Sequence, residues 1–170
     1  MFLNERNRLA IFNAFINSNF TYCPLVWMFC GKKHSVKFEK IQERALRIVY
    51  NDKISTYYEL LDKGDFLSVT MLRIKCLAVE MYRCVRGLNP EYLNDMYAIK
   101  ECEYALRDCS RIQQSKFKTY TFGYKSFQYY GAKVWNSIPI HVKNSTDLSI
   151  FKQDIDVWCR SHEANALSIC

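Results

Sequence analysis

The sequence contains few of the residues that interrupt helices. Its 170 residues include only 5 Gly and 3 Pro, which favours long helices over an architecture with many turns. No run of about 18 apolar residues occurs, so no membrane-spanning segment is predicted, and the first residues lack the basic-then-apolar pattern of a secretory signal. Hydrophobic residues still make up 49% of the chain, which is enough for a core. We predict a mainly α, globular protein in the cytoplasm or nucleus.

The residue patterns needed for catalysis are also missing. The 17 acidic residues are scattered and no Asp-Asp pair occurs, whereas a two-metal polymerase or nuclease needs carboxylates close together. The 5 Gly are isolated, which excludes a glycine-rich phosphate loop. The spacing of the 3 His and 8 Cys singles out no nucleophile pair. We predict no catalytic residues and no cofactor, and do not expect this chain to be an enzyme on its own.

The 8 cysteines form no Cys-x-x-Cys pair. In a reducing compartment they are expected to remain thiols, mostly as small buried apolar side chains. Cys159, His162 and Cys170 supply three of the ligands of a zinc site, but a fourth ligand at a suitable spacing is missing. An ordinary chain end is therefore favoured, and a metal site there stays an open alternative.

The net charge of +7 and the pI of about 9.0 indicate a basic surface. Such a surface attracts polyanions, although a charge of this size also serves solubility alone. Residues 1–63 contain 10 basic and 6 acidic residues, whereas residues 126–170 contain 4 of each. The excess positive charge is therefore predicted towards the N-terminal side.

A helix is predicted from Ser35 to about Tyr50, with Ser35 as its N-cap. Its predicted buried face, spaced 3, 4 and 3, is Phe38, Ile41, Ala45 and Ile48. Four cations repeat the same spacing one position earlier, at Lys37, Lys40, Arg44 and Arg47, which places them beside that face. Glu39 and Glu43 are expected to point away from these cations. Such sorting of charge favours contact with a phosphate backbone over a merely solvated surface. We call the predicted nucleic-acid-binding residues the basic face: Lys33, Lys37, Lys40, Arg44 and Arg47.

Other patterns predict the rest of the organisation. Helices are expected over 8–20, from Thr56, from Ser68 to Gly87, over 126–135 and from Asp147. Residues 98–114 lose periodicity, and the β-formers of residues 117–122 predict one strand or hairpin arm. We expect a thumb-like helical region at 1–97, a linker at 98–125 with at most a short β hairpin, a C-terminal helical region at 126–160 and a tail at 161–170.

Several short motifs resemble, in order, segments of the reverse transcriptases of non-LTR (LINE-type) retrotransposons. The run FTYCPLVWMF at 20–29 is similar to a segment just beyond the catalytic palm of those enzymes. Further similar segments follow as ERALRIVY at 43–50, ELL at 59–61, AVEMY at 78–82, GLNP at 87–90, GAKVWNSIP at 131–139 and then FK at 151–152. The resemblance spans residues 8–158, which is nearly the whole chain.

The resemblance implies the thumb of an RNA-directed DNA polymerase and the region that follows it. In such enzymes the thumb helps to grip the template–primer duplex, which would place Lys37, Lys40, Arg44 and Arg47 near RNA, DNA or their hybrid. Trp27 and Ile48 would then be packing residues. The paired aspartates of the palm and an endonuclease domain are absent, so a truncated fragment is expected, with the palm of a parent enzyme as another partner.

Two other functions remain open from the sequence. The chain is alternatively an inert remnant whose apolar faces once packed on a palm domain, which would leave Trp27 and Phe29 exposed and promote self-association. An independent enzyme is the third reading, and no assembled group of catalytic residues supports it.

Overall fold

A computed structural model of the protein describes residues 3–97 and 111–161. Within these ranges the chain is mainly helical and contains no β-strand. The predicted mainly α fold class is therefore confirmed. The described residues form two compact units, and the division along the chain falls after Arg73.

The N-terminal unit is built from short helices around one long helix. Its elements are α1 (Glu5–Ile11), a π-helical segment (Phe12–Asn17), α2 (Ser18–Thr21), α3 (Pro24–Trp27), α4 (Lys32–Tyr50) and α5 (Tyr57–Lys63). Helix α6 (Val69–Val85) begins at its end. The Asn4 side chain accepts a hydrogen bond of 2.9 Å from the backbone N–H of Asn7 and so caps α1. The helix predicted over 8–20 is confirmed as the helical run from α1 to α2.

The core of this unit joins the first helical run to α4 and α5. Its buried residues are Phe12, Ala45, Leu46, Val49, Leu60 and Leu61. The helix predicted from Thr56 is α5, and it begins with a capping box: Thr56 N–H donates to Glu59 Oε2 at 2.8 Å and Glu59 N–H donates to Thr56 Oγ1 at 3.4 Å. These bonds satisfy two helix-end donors and set where α5 starts.

The predicted buried face of α4 is wrong at two of its four positions. Ile41 and Ile48 are 48% and 70% exposed, whereas Gln42 is buried and donates to the Leu67 carbonyl at 3.0 Å. Glu39 also points inward, where its carboxylate accepts the Tyr57 hydroxyl and the Thr70 N–H at 2.8 Å. Polar side chains occupy this face because the neighbouring elements satisfy them there, which hydrophobic periodicity alone does not reveal.

Arg73 is a second polar group in the interior of this unit, with only 1% of its surface exposed. Its guanidinium donates to the Met28 carbonyl at 3.3 Å, to the Ser35 hydroxyl and to Thr70 Oγ1 at 3.2 Å. It also lies 5.2 Å from the centroid of the Trp27 ring. Arg73 thus holds the turn after α3 against the start of α4, and no carboxylate forms an ion pair with it within the described residues.

The second unit combines the remainder of α6 with the helices that follow. These are α7 (Glu91–Asn94), a π-helical turn (Tyr120–Tyr124), α8 (Phe127–Ser137), α9 (Ile140–Lys143) and α10 (Leu148–Arg160). Tyr82 stacks on Phe151 at 4.3 Å, and its hydroxyl donates to the Ser145 carbonyl at 2.9 Å. A Cβ at Gly131 would lie 2.5 Å from both Met81 Sδ and Tyr97 Oη, so this glycine permits close packing of α8.

The compact units divide the chain differently from the predicted organisation, which placed residues 1–97 in one helical region. The contacts of Tyr82 and Met81 explain the difference, because the second half of α6 belongs to the same core as α8 and α10. Part of the predicted linker is also anchored. Ile112 is buried, and its backbone N–H and carbonyl both bond to the side-chain amide of Asn136 at 2.9 Å.

The strand predicted over residues 117–122 is wrong. Residues 117–119 have no regular structure, and Tyr120–Tyr124 forms a helical turn. The aromatic residues here pack on one another instead of pairing with a strand, since Phe117 lies 6.4 Å from both Tyr124 and Tyr129 between ring centroids. The residues 98–110 of the predicted linker and 162–170 of the predicted tail lie outside the described residues.

Candidate nucleic-acid interface

The basic face lies on α4, the longest helix of the N-terminal unit. At about 100° per residue, positions 33, 37, 40, 44 and 47 fall within about 80° of arc, so one side of the helix carries all five cations. Lys33, Lys37, Lys40 and Arg44 are exposed, and Arg47 is half-buried. The structure therefore brings all the predicted residues together on one surface that faces solvent.

This surface lies opposite the buried side of α4 and not beside it. The buried Leu46 is about 200° around the helix from Arg44. The exposed Ile41 and Ile48 flank the cations, so the resemblance-based role of Ile48 as a packing residue is wrong. Trp27 does pack, because its ring centroid lies 5.0 Å from that of Phe38. The accessible side of α4 thus combines cations with aliphatic side chains.

Glu43 lies beside the basic face and pairs with one of its cations. Its carboxylate accepts hydrogen bonds from Arg47 Nη2 at 2.7 Å and Arg47 Nε at 3.2 Å, which makes an i,i+4 ion pair. The prediction that Glu43 turns away from the basic face is therefore wrong. Arg47 Nη1 is buried and has no hydrogen-bond partner within the described part of the chain. Glu43 thus offsets charge on Arg47, whereas no ion pair within the described residues involves the cations nearer the start of α4.

A groove of about 770 Å³ adjoins the C-terminal half of the basic face. Its lining residues are Leu3, Arg8, Arg44, Arg47, Ile48, Asn51 and Lys53. Four of these are cations, and none of the described residues that line it is acidic. A concave surface with one sign of charge concentrates the field, so the groove is suited to an anionic ligand that also presents apolar surface.

Tertiary contacts position the cations that the sequence analysis did not single out. Arg8 reaches the groove from α1, and its Nε donates to the Val49 carbonyl at 2.8 Å, which satisfies a helix-end acceptor of α4. Asn51 ends α4 in the left-handed conformation, with φ of 52°, and the chain then turns so that Lys53 lines the groove. No local pattern marks Arg8, whereas an Asn just after a helix was a readable signal for the turn.

Asp52, the acidic residue in this turn, forms its hydrogen bonds with residues that do not line the groove. Asp52 accepts hydrogen bonds from Lys63 Nζ at 2.5 Å, from Ser55 Oγ at 2.6 Å and from the Ser55 N–H at 3.0 Å. These bonds, led by the one from Lys63, hold the pKa of Asp52 well below its usual range. Asp52 therefore forms its ion pair with Lys63 and not with Lys53, and Lys53 lines the groove.

The structure assembles no metal-binding group among residues 3–97 and 111–161: no three His, Cys, Asp or Glu side chains there are placed to hold an ion together. Cys159 is buried, and burial raises the pKa of its thiol to about 12, so it is a protonated packing residue. His162 and Cys170, the other members of the suggested zinc site, lie outside the described residues. Asp52 has the turn role described above, and Asp62 and Asp65 lie at the end of α5 and in the turn after it.

Comparison with known proteins identified no relative of this chain. No protein-family model matches the chain, and neither a curated protein nor a solved structure matches it significantly. Among the helices that the structure describes, none has both the length and the apolar character to cross a membrane.

Proposed function

We propose that this chain contacts the phosphate backbone of nucleic acid through the basic face of α4 and the adjoining groove. The observation that supports this most is that five cations share one solvent-facing side of α4. Arg8 and Lys53 continue this charge in a groove that has no acidic residue among its described lining residues. A helix face of this kind neutralises several phosphates at once and needs no particular base sequence. The expected ligands are RNA, DNA or an RNA–DNA hybrid, bound without sequence preference.

We further propose that the chain corresponds to the thumb and post-palm region of a non-LTR retrotransposon reverse transcriptase. The support is the order of the motifs in the sequence, together with a helical architecture of the kind that a thumb requires. In this role the chain grips a duplex and performs no chemistry, and the palm of a parent enzyme is a second partner. It would act in the cytoplasm or the nucleus.

The test is binding of a labelled RNA–DNA hybrid to the purified chain across a salt series. For the wild type we expect log K to fall linearly with log salt. Lys40→Glu combined with Arg44→Glu removes at least two phosphate contacts, so the slope is expected to decrease by about two units. The matched control is Lys32→Glu combined with Lys152→Glu, which changes the net charge equally at two exposed positions off the basic face.

The possible outcomes distinguish phosphate contacts made by the basic face from a general effect of net charge. A loss of slope in the basic-face variant but not in the control supports the proposal. An equal effect of both pairs would mean that only net charge matters, and the absence of binding by a folded wild-type chain would contradict nucleic-acid binding altogether.

A second function, packing against another protein surface, is favoured by one observation. Phe15, Tyr22 and Val26 are exposed on the N-terminal unit, whereas Trp27 and Phe29, the residues expected to be exposed in that case, are half-buried. Exposed aromatic and aliphatic side chains of this size are typical of an interface. Light scattering tests it: concentration-dependent association that Phe15→Ser with Val26→Ser abolishes would support packing, and a monomer at all concentrations would argue against self-association through these residues.

A further inference from the structure

The second unit carries a basic segment that lies outside the N-terminal charge excess. Between Asp108 and Asp147 the sequence contains 6 Lys or Arg residues and no Asp or Glu. Lys143 is buried against Trp135, with its Nζ 5.8 Å from the ring centroid, and Lys133 lies 5.6 Å from the Tyr130 ring. At the surface, Arg111, Lys116 and Lys118 are exposed, and Lys125 and Lys133 are half-buried.

Exposed tyrosines stand among these cations. Tyr120 is 64% exposed and Tyr124 is 36% exposed. The two ring centroids are 6.5 Å apart, and the ring planes make an angle of 35°. Lys125 Nζ lies 5.4 Å from the centroid of the Tyr120 ring. An aromatic surface and an ammonium group are thus presented together to solvent.

The segment that carries Tyr120 is held in one conformation by its neighbours. The Tyr124 N–H donates to the Thr119 carbonyl at 3.2 Å, and the Lys125 N–H donates to the Tyr120 carbonyl at 3.1 Å. Both bonds span five residues and make the π-helical turn, a form often found at functional sites. A Cβ at Gly123 would collide with the Phe117 side chain, so the turn packs closely on that ring.

The second tyrosine of the pair is fixed by edge-on aromatic contacts. The Tyr124 ring centroid lies 4.9 Å from that of Tyr129 and 6.4 Å from that of Phe117. Tyr129 belongs to the first turn of α8, where its N–H donates to the Ser126 side chain at 3.3 Å. The Tyr124 ring is therefore packed against the first turn of α8, which limits the entropy that this ring loses when a ligand binds beside it.

We propose that Tyr120 and Tyr124, with Lys116, Lys118 and Lys125, form a binding surface for single-stranded nucleic acid. An unpaired base stacks on the exposed Tyr120 ring, and the lysines contact the phosphates on either side of it. Aromatic rings set in a basic groove or patch bind single strands in this way, because every base offers a flat face. A duplex keeps its bases stacked on one another and would leave the rings unused. This surface belongs to the second unit and does not depend on the basic face of α4.

The experiment measures binding of a fluorescein-labelled oligothymidylate of twelve nucleotides and of a duplex of the same length. It is carried out in the Lys40→Glu, Arg44→Glu background, which weakens the contribution of α4 by reversing two of the five cations of its basic face. We expect Tyr120→Ala to weaken binding of the single strand roughly 5- to 150-fold, the usual range for losing one stacked base. Tyr120→Phe keeps the ring and is expected to restore binding. Tyr92→Ala, at a tyrosine of α7 that is 69% exposed, is the matched control and should have no effect.

The lysines are tested by the salt dependence of the same binding. Lys116→Gln with Lys118→Gln is expected to decrease the slope of log K against log salt by about 1.4 units, since each phosphate contact with a single strand contributes about 0.7. The proposal is overturned if Tyr120→Ala binds the single strand as tightly as its parent does. It is also overturned if Tyr120→Ala weakens single-strand and duplex binding equally, or if Tyr92→Ala has the same effect.

Discussion

Neutralising one acidic residue on α4 is expected to strengthen nucleic-acid binding. Glu43→Gln keeps the size of the side chain and removes the charge that holds Arg47 through hydrogen bonds of 2.7 and 3.2 Å. Arg47, whose Nη1 has no acceptor within the described residues, then becomes available to a phosphate at the edge of the groove. The change adds one contact to those made by the exposed cations.

The magnitude follows from counterion release. One additional phosphate contact increases the slope of log K against log salt by about 0.9. At a salt concentration of about 0.1 M this corresponds to roughly eightfold tighter binding, and the gain disappears as salt approaches about 1 M. The cost in stability is small, because a partly exposed i,i+4 ion pair contributes only about 0.3–0.5 kcal/mol.

The assay is the same salt series with a labelled RNA–DNA hybrid, and Asp62→Asn is the matched control. Asp62 is an exposed residue of α5 that does not line the groove, so its replacement changes the net charge equally without releasing Arg47. If Glu43→Gln left the slope unchanged, or if Asp62→Asn increased it as much, then Arg47 would not be a latent phosphate ligand and the role assigned to the groove would be refuted.

Three further predictions concern the stability of the N-terminal unit. Arg73→Met removes a buried guanidinium and leaves the Met28 carbonyl and the Ser35 hydroxyl without their donor, so urea unfolding should show a loss of about 1–3 kcal/mol for each group left unsatisfied. Thr56→Ala deletes the N-cap of α5 and should cost about 1 kcal/mol by the same measurement. The folded-state pKa of Asp52 is lowered, so its stabilising contribution is present above the unfolded pKa near 3.8 and is lost as pH falls below it. The free energy of unfolding of Asp52→Asn should therefore decrease less than that of the wild type between about pH 5 and about pH 2, when it is measured at intervals of about one pH unit.

Most helices were predicted because the signals that start and stop them are local, but the predicted start of α4 at Ser35 is wrong. This helix begins at Lys32 after Gly31, and Ser35 is a buried residue within it that accepts a hydrogen bond from Arg73. The capping box of Thr56 and Glu59 and the N-cap Ser126 before α8 each act within one turn of the chain. The strand predicted over 117–122 failed because β-forming residues need a partner strand. In the structure Phe117 packs against Tyr129 of α8, and Tyr120 packs against Tyr124.

Only the part of the site that depends on local sequence was predicted. The five cations of the basic face share one side of α4 because that grouping depends only on helical geometry and sequence spacing. Arg8 and Lys53 join the groove through the packing of α1 on α4 and through the turn at Asn51, which bring residues from distant sequence positions to one place. The ion pair of Glu43 with Arg47 had an i,i+4 signature that the sequence analysis overlooked.

The sequence by itself determined the fold class, most of the helices and which cations share a helix face, since these follow from interactions within a few residues. Only the tertiary structure decided which face of α4 is buried. Ile41 and Ile48 are more apolar than Gln42 and Glu39, but Gln42 has the Leu67 carbonyl as a partner, and Glu39 has the Tyr57 hydroxyl and the N-terminus of α6. Those partners come from other elements of the fold, and their hydrogen bonds offset the cost of burying polar groups.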